Sequence, residues 1–256
     1  NEISNITYDE NSICFYFNKK INKNNFINDL KKILKRYHQK NLIEIENEIL
    51  FKLNFKKNSS INFLSDKIIK KYVHEVISGV NIYSEPFSSF IAYLDYTIKN
   101  YFKSVLVFNE ELYPNFIEID TLNECNHFDS FPEHILFNGH FKEGLSHIDQ
   151  FSKTKNKKLF IKKNNNKINN DLVQNPSTCF HFFKKRGNKN IAKNEIVTAI
   201  TKCGRFESKN HREITRLREF FLREFMFIGS KNFVNETRLK TLDVFKKIII
   251  NFEIPG

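Results

Sequence analysis

The densest chemistry in this chain lies between Ile196 and Gly229. The run NEIVTAITKCGRFE reaches Arg205, Phe206 and Glu207, and RLREFFLREFMFIG returns with Arg216, Arg218, Glu219, Arg223 and Glu224 among Phe220, Phe221, Phe225 and Phe227. Alternate residues of a strand share a face, so a strand continuing through Glu207 would present Arg205 and Glu207 together. A guanidinium grips a phosphate through two parallel hydrogen bonds and keeps its charge throughout turnover. A carboxylate beside it can accept from an adenine amino group. The plainer alternative is an ion pair on a solvated sheet, which an isolated R-x-E pattern does not exclude. Charges among this many phenylalanines are costly unless paired or used. The hairpin is therefore the first candidate for an anion site.

Cysteine and histidine offer less. Cys179, in NPSTCFHFFKKR, reads by itself as a buried small hydrophobe. His181 follows it by two residues, and on a strand the pair would face one way and could hold a metal. Cys203 precedes Arg205 by two residues and reads as core, and Cys14 and Cys125 have no partners.

The surrounding pattern is that of an α+β fold, an antiparallel β-sheet flanked by helices. Residues 1–60 form a small α+β appendage. SICFYFN is strand-like, Phe26, Leu30, Ile33, Leu34 and Tyr37 lie on one helical face, and LIEIENEILFKLNF alternates around a hairpin at Glu46-Asn47. From about residue 62 to Gly256 the texture changes to that of a second, larger domain. It opens with a helix over Leu64–Val76, followed by one from Phe87 to Phe102. SVLVFN and FIEIDTL read as strands, and NECNHFDSFPEHILFN is rich in loops. A Lys/Asn-rich insertion over Ser152–Asn170 is expected to be mobile. A helix from Asn232 to Phe245 and a strand KIIINFEIPG complete the pattern.

Composition narrows the classes. The 256 residues carry a net charge of +12, yet many lysines sit in Asn/Lys runs such as KKNNNK, the mark of AT-rich coding. The basic balance suits an acidic protein partner, nucleic acid or an anionic surface. No apolar run approaches the roughly 18 residues of a membrane span, and no signal peptide opens the chain. The first residue is Asn1, which suggests a segment cut from a longer product or a processed one. Four widely spaced cysteines argue against a disulfide scaffold and fit the cytoplasm. With 7 glycines, and neither a Walker A motif nor GxGxxG, bound ATP must be held without a glycine-rich loop.

R-x-E, a loop and REF on the returning strand resemble motif 2 of the class II aminoacyl-tRNA synthetases. SGVNIYSEPFSSFIAYLDYTI, ECNHFDSFPEHILFNGHF, NPSTCFHFF, KCGRFE and LREFMFIG occur in the order seen in the amino acid:carrier protein ligases. These are truncated relatives of the atypical, zinc-dependent seryl-tRNA synthetases. The resemblance covers about residues 62–256. It implies ATP-dependent activation of a small amino acid as its adenylate, then transfer to the phosphopantetheine thiol of an acidic carrier protein. Arg205 would hold the α-phosphate, and Glu207 would orient adenine. Arg216 or Arg218 would supply a further cation for ATP, which comes with magnesium. Cys179 and Glu224 fall on two zinc ligands, the open position of the metal taking the substrate amine. A homodimer is implied, and tRNA is not the expected acceptor. The alternatives are a seryl-tRNA synthetase-like protein that charges or binds RNA, and a synthetase paralogue without catalysis.

Two positions depart from the pattern. IEIDTL lacks the proline usual at the dimer strand, and Phe221 stands where relatives carry an arginine. Motif 3 and a third zinc ligand, a cysteine, are expected beyond Gly256, so residues 1–256 alone are not expected to form the adenylate.

Overall fold

The computed structural model describes residues 3–9, 12–38, 70–142, 144–165, 168–207, 216–252 and 254. The chain divides into two units, Asn1–Leu53 and Asn54–Gly256, each described by itself. In the first, β1 (Ile3–Tyr8) pairs antiparallel with β2 (Ile13–Phe17). Asp9 makes the turn, its carboxylate accepting from both the backbone N–H and the hydroxyl of Ser12. Helix α1 (Lys23–His38) lays Phe26 edge-on against Phe15 and Phe17, each at 5.0 Å. The expected strand and helix are both present. The expected 42–55 hairpin, and the start of the helix expected from Leu64, lie outside the described residues.

The second unit opens differently from expectation. Val73–Ile77 (β3) is a strand, not a helix end, and pairs with Val80–Tyr83 (β4). β-Branched Val73, Val76 and Ile77 favour the extended form, and Gly79 supplies the positive φ, 77°, that the turn needs. Helix α2 (Phe87–Lys103) follows as the apolar period indicated. SVLVFN does not form a strand. Val105 and Leu106 both bond back to the Phe102 carbonyl, closing the helix, and only Asn109–Glu110 (β5) pairs. FIEIDTL is half strand, β6 (Phe116–Glu118), and half helix, α3 (Ile119–Glu124).

A short helix α4 (His127–Ser130) leads through a 3₁₀ turn to β7 (Phe137–Phe141). The Lys/Asn-rich insertion is more ordered than its composition suggested. After α5 (Leu145–Lys153), Asn156 caps α6 (Lys157–Lys163) by accepting from Leu159 N–H at 2.9 Å. The rings of Phe141, Phe151 and Phe160 pack together beneath these helices. Strand β8 (Ile168–Gln174) then pairs antiparallel with both β6 and β7.

Helix α7 (Cys179–Arg186) precedes the long hairpin, β9 (Glu195–Gly204) and β10 (Glu219–Ile228), joined in register from Glu195↔Ile228 to Gly204↔Glu219. β5 adds in parallel to the far side of β9. The last helix, α8 (Lys231–Asn251), takes up the first half of the segment expected as a closing strand, KIIIN, while residues 253, 255 and 256 lie outside the described residues. Thr237, Val244 and Ile248 fall on one helical face and are buried, which is the period that KIIIN extends.

The hairpin is covered on both faces. Toward α2 and α8, Phe102, Leu106, Ile196, Val244 and Ile248 form one core, with Phe225 stacked on Phe102 at 3.8 Å. Toward α7, Phe182, Val197, Ala199 and Met226 form another. Arg186 ties α7 to the sheet, donating to Glu111 at 2.9 Å and Glu195 at 2.6 Å with 11% of its side chain exposed. Its hydrogen bond, helped by Lys185 and Tyr113 and opposed by burial, holds the Glu111 carboxyl at about 2 instead of its ordinary 4.5.

A carboxyl lowered on folding stabilises the fold above its unfolded pKa and ceases to do so as pH falls through the folded one. Urea unfolding across acid pH should therefore show stability lost between about pH 4.5 and 2. Glu111→Gln should lower stability at neutral pH and flatten that decline. Parallel curves for the two proteins would contradict this.

Candidate active site

Four residues between β8 and α7, Asn175 to Thr178, lie across the open end of the hairpin and lead into Cys179 at the start of α7. Buried Asn175 donates from its N–H to the Asn115 carbonyl at 2.7 Å, and its own carbonyl accepts from Gly204 N–H at 3.0 Å. The Pro176 carbonyl accepts from Arg205 Nε at 2.8 Å. Thr178, fully buried, donates from its hydroxyl to the Leu222 carbonyl at 2.8 Å and touches the Cys203 sulfur at 3.8 Å. A Cβ on Gly204 would stand 2.3 Å from the side chain of Gln174, which packs over this glycine. Gln174 in turn donates to Glu219 at 3.3 Å.

The strap brings the expected metal pair together. Ser177 Oγ donates to Glu224 Oε1 at 3.0 Å and lies 3.5 Å from Cys179 Sγ. One hydroxyl thus spans sulfur and carboxylate. Glu224 Oε2 is buried with no hydrogen-bond partner among the described residues. Burial raises the Cys179 pKa, the Ser177 hydrogen bond opposes this, and the adjacent Glu224 charge raises it further, so the free thiol is protonated at neutral pH. Both residues line a hollow of about 380 Å³ whose other walls include Phe183, Phe225, Phe227 and Phe245. The described residues contain no group of three His, Cys, Asp or Glu side chains placed to hold a metal.

His181 does not share this site. It sits on a helix, where two residues turn the side chain by more than half a revolution. Its ring tilts against Tyr113 at 5.7 Å, and burial lowers its pKa, an effect that the backbone of Pro114 and Phe116 opposes. Cys203 is fully buried, and burial drives its pKa up to about 11.

The cations divide by role. β9 ends at Gly204, so Arg205 and Glu207 lie beyond the strand expected to carry them, and one bond, Arg205 N–H to Arg218 O at 2.9 Å, extends the ladder. The Arg205 guanidinium lies over the Phe220 ring at 5.2 Å. Its terminal nitrogens have no hydrogen-bond partner among the described residues. Glu207 Oε2 accepts from Arg216 Nε at 2.8 Å and Nη2 at 2.5 Å, so in this arrangement the two form an ion pair. Arg218 lies over Phe206, and its Nε is buried without a partner among the described residues. Arg223 serves structure: it is 7% exposed and donates to Asp95 on α2, to Glu110 and to Thr198.

Sequence reasoning missed Ser177 and Asn175. The available signal was a Pro-Ser-Thr stretch with a hydroxyl two residues before the cysteine, too common to single out. It also passed over His127. Its Nε2 is buried without a partner among the described residues, and burial, then His134 and Arg205, lower its pKa.

No family model matches the chain, and no curated protein matches it in sequence. Solved structures do match. The seryl-tRNA synthetase of M. kandleri, solved in complex with A. aeolicus tRNASec, superposes with a TM-score of 0.72 at 14% identity, covering 96% of this chain. Giardia lamblia prolyl-tRNA synthetase with prolyl-adenylate gives 0.54 at 14% over 72%. The RNA-binding domain of Cryptosporidium parvum threonyl-tRNA synthetase gives 0.51 at 15% over 71%. The chain spans 51%, 34% and 40% of those proteins. The likeness is one of fold, which is class II aminoacyl-tRNA synthetase-like. No helix among the described residues is long and apolar enough to cross a membrane.

Thiolates, not thiols, are alkylated. With iodoacetamide near neutral pH, exposed Cys14 should label first, Cys179 more slowly, and Cys203 only on unfolding. Peptide mass spectrometry follows each site, and labelling of Cys203 in step with Cys14 would refute the burial.

Proposed function

We propose that the chain belongs to an enzyme that activates a small amino acid with ATP and transfers it to a carrier protein thiol. The observation that carries this reading is the strap. It sets a thiol and a half-orphaned carboxylate in one hollow and leaves the Arg205 and Arg218 guanidiniums at the end of the same hairpin. In the reaction the amino acid carboxylate attacks the α-phosphorus of magnesium-bound ATP, and pyrophosphate leaves. The pantetheine sulfur, losing its proton, then attacks the carbonyl of the adenylate, and AMP leaves as the thioester forms.

Arg205 and Arg218 suit the α-phosphate, where charge develops in the first step and fixed donors count most. The buried, unpartnered Arg218 Nε–H is the kind of donor that an anion would satisfy. Glu207 keeps the role of adenine acceptor only by sharing its carboxylate with Arg216, which becomes a third ATP-facing cation beside Arg205 and Arg218.

Cys179 and Glu224 suit zinc, and the unpartnered Oε2 is the donor atom that such an ion would use. They supply two ligands, with no third in reach among the described residues. Bound zinc would supply a Lewis-acidic position for the substrate amine. The thiol must then lose its proton, so metal uptake is coupled to proton release. We place the enzyme in the cytoplasm as a homodimer. A stripe of exposed Phe90, Tyr93 and Tyr96 on α2 is one surface available for that association.

A second reading, tRNA charging, has one observation in its favour. The M. kandleri match extends over 96% of the chain and so takes in most of the N-terminal unit. That partner was solved bound to tRNA. The acceptor distinguishes the two readings.

ATP–pyrophosphate exchange by the gene product carrying this chain, with glycine, alanine and serine, should detect activation. Arg205→Ala should lower it about 100- to 1,000-fold while the thermal midpoint stays near that of the wild type. Exchange indifferent to Arg205 would remove the phosphate role. Labelled amino acid should then appear on holo carrier protein; label on tRNA alone would establish the second reading.

A further inference from the structure

The N-terminal unit has a hollow of its own, of about 640 Å³, between β2 and the start of α1. Phe15, Phe17, Phe26 and Ile27 form its walls, and Lys19, Lys20 and Lys23 stand around it. The apolar surface does not stop there. In the β1–β2 register Ile6 lies opposite Phe15 and Tyr8 opposite Ile13, so these residues prolong one face of the hairpin. Ile6 is 49% exposed, Ile13 62% and Tyr8 83%, and Ile27 on α1 is 45% exposed. Contiguous apolar surface of this kind marks a binding face.

Charge limits what can bind. Residues 12–38 hold seven Lys or Arg and a single acid, Asp29, which is already paired with Lys32. A partner must therefore bring apolar anchors and negative charge together. An amphipathic helix with an acidic face does so, its anchors entering the groove between strand and helix. An RNA strand would use the lysines but not the floor. Phe15 and Phe17 meet Phe26 edge to face, at 71° and 86°, so much of the aromatic surface is already engaged within the cluster.

We propose that this hollow docks an acidic helix of the carrier protein. The assignment rests on the carrier-loading reading above, and it adds a surface outside the hairpin site. The lysines steer the encounter and the apolar hollow holds the bound helix.

The test is a fluorescence anisotropy titration of labelled holo acyl carrier protein with the gene product that carries this chain. Binding should saturate, weaken as salt rises, and fall about tenfold or more in Lys19→Glu/Lys20→Glu/Lys23→Glu. Ile27→Ser, at an exposed wall, should weaken it several-fold without altering the circular dichroism. Unchanged affinity in the triple variant, or no saturable binding by the wild type, overturns the proposal. So does binding of poly(U) that the three reversals abolish while carrier binding stays the same. Pyrophosphate exchange on the same preparation involves no carrier and keeps the two claims apart. Carrier binding without exchange sinks the activation reading and leaves the docking site, whereas exchange without carrier binding does the reverse.

Discussion

The hydrogen bonds that pin Asn175–Thr178 across the β9–β10 hairpin fix the candidate site. Asn175 fastens the strap to Gly204, Pro176 to Arg205, Ser177 to Glu224 and Thr178 to Leu222. Four successive residues thus each spend a polar group on the hairpin or its extension. Two of these anchors, Asn175 and Thr178, are fully buried, where an unmade hydrogen bond would cost roughly 1–3 kcal/mol. The strap therefore has little freedom to shift without losing several bonds at once. Because Cys179 opens α7 directly after it, the position of the thiol follows from backbone contacts made by its neighbours.

That rigidity matters because the hairpin separates two electrostatic tasks. On the α2 side Arg223 is buried and saturated by Asp95, Glu110 and Thr198, so it holds the helix to the sheet. On the α7 side Glu224, the next residue, has one oxygen without a hydrogen-bond partner among the described residues. Alternation along a strand puts these neighbours on opposite faces. An unpaired buried carboxylate oxygen is expensive, and a cation placed between it and Cys179 would remove that cost.

Much of this was legible in the sequence, and the reasons for the exceptions are physical. Helices α1 and α2 announced themselves through period-3.6 patterns, and the long hairpin through two runs, one returning rich in charge and phenylalanine, on either side of a loop. Short elements misled. Val73–Ile77 carried enough apolar residues for either state, and the Ser-Gly turn decided it. The run from Lys247 looked like a strand by composition, but Val244 and Ile248 one turn apart bind it to the preceding helix. Asn156 ordered a segment whose Lys/Asn content alone suggested mobility. Within the candidate site, Cys179 and Glu224 were singled out as ligands only through a family resemblance. Their junction depends on Ser177, a residue 47 positions from Glu224, and no local pattern encodes such a contact. His181 was misplaced for one reason: its segment is a helix, so the shared strand face does not exist.

The central claim is that Cys179 and Glu224 act as a metal-binding pair created by the strap. Cobalt(II) reports on it directly, because a cysteine thiolate bound to cobalt gives a charge-transfer band in the near ultraviolet. Adding cobalt to the metal-free gene product should produce that band with release of a proton. The band should be lost in Cys179→Ser and kept in Cys203→Ser, whose sulfur lies in the core. No band in the wild type, or one that survives the loss of Cys179, would contradict the account.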